Sequence, residues 1–173
     1  MAGKLVQVAN TTLTGAVSAI DLSGSITDNN VYQLVYTNIQ PSTDAQNFVF
    51  RVTKTSDNSA DSTSNYDRTG KTLKANTTFG DTNQTDLNRW QVDKGGTASG
   101  ETLSGTMMLY NFYDSNLYSM TTVRATGRID DGTNQGFNGS FWHTVAQSNN
   151  GLYIYFTTGN IASGTIAIYK VLP

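Results

Sequence analysis

None of the 173 residues is cysteine, which excludes disulfides and thiolate metal sites and leaves the redox compartment unread. Proline occurs only twice, at Pro41 and Pro173, so long strands meet few obstructions. Charge is scarce: 14% of residues are Asp, Glu, Lys or Arg, against about 25% in an ordinary globular domain. Eleven basic and 13 acidic residues leave a formal net charge of −2 with no basic tract, so no nucleic-acid partner is expected. No apolar run approaches the roughly 18 residues of a membrane-spanning helix, and no membrane role is expected. The stretch after Met1 lacks the apolar centre of a secretory signal. Histidine and glutamate appear once each, as His143 and Glu101.

Thr, Ser, Asn, Gln and Gly take the place of the missing charge, a surface that can be buried against neighbours without stripping water from many ions. A chain of this length suits one domain, residues 1–173. Apolar and polar residues alternate with period two over Asn47 to Thr55, with Phe48, Phe50 and Val52 on one face. The same alternation marks Leu103 to Phe112, Leu117 to Arg128 and Gly136 to Val145, where Phe137, Phe141 and His143 share a face. Val31 to Ile39, Leu152 to Phe156 and the closing run to Pro173 are rich in aromatic and β-branched residues. Shorter strands are predicted at Lys4 to Ala9 and Ala16 to Leu22. Asp114-Ser115-Asn116, Asp130 to Asn134 and Ser148 to Gly151 read as turns, the last as a hairpin turn. Ser56 to Asn65 reads as a polar surface loop, and Tyr66 to Trp90 as short strands between long loops. No helical period of useful length occurs. Eight to ten strands with frequent turns predict an all-β fold, an antiparallel β-sandwich of the jelly-roll type.

Chemistry is thinly represented. His143 lies in register with Phe141 and Val145, which suits a core or interface histidine better than a general base. A zinc site built on it would need carboxylates for every other protein ligand and is not expected. Asp130 and Asp131, or Asp57, Asp61 and Asp67, offer oxygen ligands for Ca²⁺, but neither group has the spacing of a calcium loop, and aspartate favours turns in any case. Glu101 with an aspartate makes a weak case for a glycosidase pair. No nucleophile, base and oxyanion site assemble, so no enzyme and no cofactor are expected. Aromatics make up 10% of the chain. Tyr66, Trp90 and Tyr113 fall in or near expected loops and are the candidate contacts for a partner or a glycan. Core packing is expected of Phe48, Phe50, Phe141, Trp142 and Phe156. Asn76-Thr77-Thr78 and two similar triplets match the N-glycosylation pattern by composition alone.

Three stretches carry a family resemblance. Asn38-Ile39-Gln40-Pro41-Ser42-Thr43-Asp44 follows a Tyr-containing strand and precedes the apolar strand at Phe48. Leu103-Ser104-Gly105 opens another strand, and Gly159-Asn160-Ile161-Ala162-Ser163-Gly164-Thr165-Ile166 leads through Ala167 and Ile168 to Tyr169. In these the chain resembles a group of small virion proteins of tailed bacteriophages, many from marine and cyanobacterial phages. It departs from them in having Lys170, not Gly, after the final Tyr. The resemblance implies a β-sandwich displayed on the outer surface of a virion. A first strand so close to Met1 leaves no stretch for a fibre stalk, which favours a head decoration or cement protein. Its expected partners are the major capsid protein and itself, a homotrimer matching the three-fold axes of an icosahedral shell. The alternative is a tail-fibre or tail-appendage module that binds a host surface glycan.

Overall fold

Twelve strands and no helix make up the fold in a computed structural model that describes residues 3–77 and 79–172. Met1, Ala2, Thr78 and Pro173 lie outside the described residues, and with them the third residue of the Asn76 triplet and the last of the closing run. The strands are β1 (Lys4–Thr12), β2 (Ala19–Asp21), β3 (Tyr32–Pro41), β4 (Gln46–Lys54), β5 (Tyr66–Lys74) and β6 (Gly80–Leu87). They continue with β7 (Trp90–Gly95), β8 (Leu103–Tyr110), β9 (Tyr118–Arg128), β10 (Asn134–Ala146), β11 (Asn149–Phe156) and β12 (Ile161–Leu172).

Two antiparallel sheets pack as a sandwich. The larger runs β1-β12-β3-β8-β9-β10-β5-β6 and the smaller β2-β11-β4-β7. The pairing is nested. β1 pairs with β12, β2 with β11, β3 with β8 and β4 with β7, while β12–β3 and β11–β4 complete the sheets. A long hairpin rolled on itself gives this order, so the core of the fold is a jelly roll. The hairpin β5–β6 is inserted between β4 and β7, and β9–β10 between β8 and β11; both widen the large sheet beyond β8.

The period-two faces of β4, β8, β9 and β10 point where the sequence places them. Phe48, Phe50, Val52, Met107, Leu109, Val123, Phe137, Phe141 and His143 are all buried. β12 lies between β1 and β3, and Ile161, Ile166 and Ile168 on it are fully buried, as a central strand requires. Two groups of rings fill the interior. Tyr36, Phe48, Phe50 and Phe156 meet under β3, β4 and β11, with centroids 4.8 to 6.0 Å apart. Tyr66, Trp90, Phe141 and Phe112 meet under β5, β7 and β10.

Three expectations change. Residues 66–87 form a hairpin, β5–β6, and not short strands between long loops: Thr, Asn and Gln line it because its outer face meets water, so it shows no apolar stripe. Asn149 to Gly151 belong to β11, and the connection from β10 crosses from the large sheet to the small one, so no hairpin forms there. The polar loop after β4 is held in place. Asp61 N–H donates to Val52 C=O, Lys54 N–H to Ser59 C=O, and Thr53 bridges Ala60. Backbone pairing orders a segment too polar to pack.

Candidate functional site

Aspartate is used structurally in this chain. In six turns an aspartate Oδ1 accepts the N–H two residues on: Asp21 from Ser23, Asp28 from Asn30, Asp57 from Ser59, Asp61 from Thr63, Asp114 from Asn116 and Asp131 from Thr133. That Asx geometry explains why aspartate is used in the connections between strands. Asp67 instead accepts the N–H of Asp86. Among the described residues no three His, Cys, Asp or Glu side chains converge as metal ligands. Glu101 is buried, and its Oε2 accepts the N–H of Ala98, holding the glycine-rich loop before β8.

His143 lies wholly inside. Tyr66 covers one side at 4.8 Å between ring centroids, and Asp61 Oδ2 stands 3.3 Å from Nε2. Neither ring nitrogen makes a well-aligned hydrogen bond among the described residues. Burial pushes the imidazole pKa below its ordinary 6.5, opposed by the Asp61 charge. Burial also pushes Asp61 upward, but hydrogen bonds from Thr63, the nearby imidazole and Gln147 hold it below 3.8 overall. The group is a neutral histidine beside a carboxylate in the core, with no opening for substrate. It borders a buried polar chain in which Gln147 donates to Asn149 and Asn149 to Ser119.

The loop aromatics are not where the sequence suggests. Tyr66 begins β5 and Trp90 begins β7, and both side chains point inward with no exposed surface. The Tyr66 hydroxyl donates to Asp61 C=O at 2.6 Å and accepts from Val52 N–H; Trp90 Nε1 donates to Trp142 C=O at 2.9 Å. Two large rings whose polar tips are satisfied inside gain more by burial than by waiting at the surface. Tyr113 does lie in the loop between β8 and β9, half-buried against the core. Trp142, expected in the core, faces the other way. It follows Phe141 on β10, so period two turns it outward, and its ring is only half-buried.

The exposed groups gather at the two ends of the large sheet. At one end, the unpaired edge of β1 carries Leu5 and Val8, 54% and 40% exposed. Toward the other, Tyr118 on β9, 49% exposed, stands near outward-facing Trp142. Between them the register aligns Gln7, Tyr169, Gln33, Met108, Thr122, Ser140, Thr69 and Asn83 in one row across all eight strands, without a charge. A third region, a polar cleft of about 350 Å³, lies between β7 and the added strands. There Arg68 Nη1 donates to Gln91 C=O and covers the free side of β7, while Gln135 holds Asp93, whose pKa burial pushes up. Compared with known proteins, the chain matches no family model, no curated protein and no solved structure.

Proposed function

We propose that the chain is a structural virion protein of a tailed bacteriophage, a non-enzymatic decoration or cement module on the outer surface of the head that assembles as a homotrimer. The observation that carries this reading is the β1 edge: exposed Leu5 and Val8 on an unpaired strand of a jelly roll. An edge of this kind suits contact with a neighbouring copy or with capsid protein, since main-chain groups and apolar side chains are offered together. Next to that edge, Gln7, Tyr169, Gln33 and Met108 can be covered with little ionic desolvation. The family resemblance supplies the setting.

Copy number in purified particles, measured by quantitative mass spectrometry against the major capsid protein, tests the reading. Comparable copy numbers support a head decoration. A few copies per particle move the protein to the tail or a unique vertex, and absence from particles rejects the virion role. For the interface, the double variant Leu5→Glu, Val8→Glu is expected to sediment as a folded monomer where the wild type sediments as a trimer. A wild type that is monomeric both in solution and on the particle rejects the trimer.

A further inference from the structure

The outward faces of β10, β5, β6 and the start of β9 enclose a cleft of about 560 Å³, within the size range of small-ligand sites. Trp142 and Tyr118 line it and supply flat apolar surface. Around the rings, the polar groups are fixed by the protein itself. Thr69 Oγ1 donates to Asn83 Oδ1 at 2.7 Å. With that amide oxygen occupied, the Asn83 NH₂ group remains as a donor. Among the described residues, neither this group nor the indole Nε1 of Trp142 has an acceptor within the protein. A buried or half-buried indole N–H ordinarily finds a partner. Asp67 completes the set: Oδ1 accepts from Asp86 N–H at 3.1 Å, leaving Oδ2 as an acceptor.

We infer that this cleft binds a neutral oligosaccharide. Stacking rings ringed by fixed donors and one acceptor match a pyranose, whose C–H face is apolar and whose edge carries hydroxyls that both donate and accept. Asp67 is the ionised side chain turned to the rings, while Arg68 turns to β7, so an anionic ligand is not favoured. An apolar peptide would leave the indole and Asn83 donors buried without partners, which is unfavourable. Tyr118 also borders a second cleft, of about 500 Å³, next to Leu117 and Met120. A ligand extending past Tyr118 reaches it, which favours a chain of sugars over a single one. The site is independent of the proposed head attachment. The β1 edge and the β6 edge are separated by seven strand spacings of about 4.8 Å, or roughly 34 Å, so a module seated on the β1 side keeps the cleft open.

The test uses the purified full chain with maltohexaose, cellohexaose, and hexasaccharides of mannose and of galactose, read by saturation-transfer NMR and by tryptophan emission. We expect saturable binding to at least one, with Kd between about 10 µM and about 1 mM and little response to salt. Trp142→Ala should weaken it about tenfold. Asn83→Ala, on the edge strand β6 away from the core, should weaken it severalfold. Failure of all four sugars to bind overturns the inference, as does binding that neither variant changes. Preference for hexagalacturonate with steep salt dependence overturns the assignment of a neutral ligand. Particle copy number has no bearing on these readouts, so the two proposals fail separately.

Discussion

His143 shows how a single residue sets a response to pH. Its pKa is depressed by burial, so the folded chain binds fewer protons than the unfolded chain once the pH falls below about 6.5. Stability is therefore complete above that value and declines as pH drops toward the folded pKa, at up to about 1.4 kcal/mol per pH unit. Asp61 works in the same direction but lower, because a depressed carboxylate loses its contribution only below 3.8. The urea midpoint should fall between pH 7.5 and pH 5.5 in the wild type and stay nearly level in His143→Asn; parallel behaviour of the two proteins would contradict this. Ala45, in the turn between β3 and β4, holds φ at 58°, a region in which a Cβ costs about 1 kcal/mol. Ala45→Gly should relieve that strain and raise the urea midpoint, whereas an unchanged or lower midpoint would mean that the turn is not strained. Of the candidate residues, His143 was legible because Phe141 and Val145 share its register. Tyr66 and Trp90 were not, since each opens a strand whose other residues are polar and give no inward stripe. Trp142 was legible in principle: the alternation that buries Phe141 turns its neighbour outward.

Among the elements, β12 bears the most, being paired on both sides along nearly its whole length. Ile168→Ala at its centre should cost about 2–5 kcal/mol by chemical denaturation, and a loss under about 1 kcal/mol would contradict its central place. Gly164 lies where β12 bulges, with φ at 126° and the backbone of Asn38 and Ile39 close by, so only glycine fits there without strain. The strong strands were legible because both of their faces, or one face with strict period two, are apolar. The β5–β6 hairpin was not, because polar cross-strand bonds, Thr69 to Asn83 and Arg68 to Gln84, hold it where water wets it.

For the whole molecule, nesting makes the first strand wait for the last. The pairs β1–β12 and β2–β11 join residues more than 100 positions apart, so most of the chain must be in place before the sheets close. Folding in milliseconds to seconds is expected in stopped-flow refolding, and completion within microseconds would contradict that ordering. A chain ending at Asn160 lacks β12 and should show no dispersed amide spectrum; a folded product would mean that β1 and β3 can pair without it. By itself the sequence determined the all-β class, most strand positions and which way each alternating residue points, because side-chain direction along a strand depends only on parity. Only the tertiary structure decided which strands are neighbours, that Tyr66 and Trp90 close the core, and that Tyr118, Trp142 and Asn83 meet around one cleft. Those outcomes depend on register between distant segments, and no local pattern in the chain encodes it.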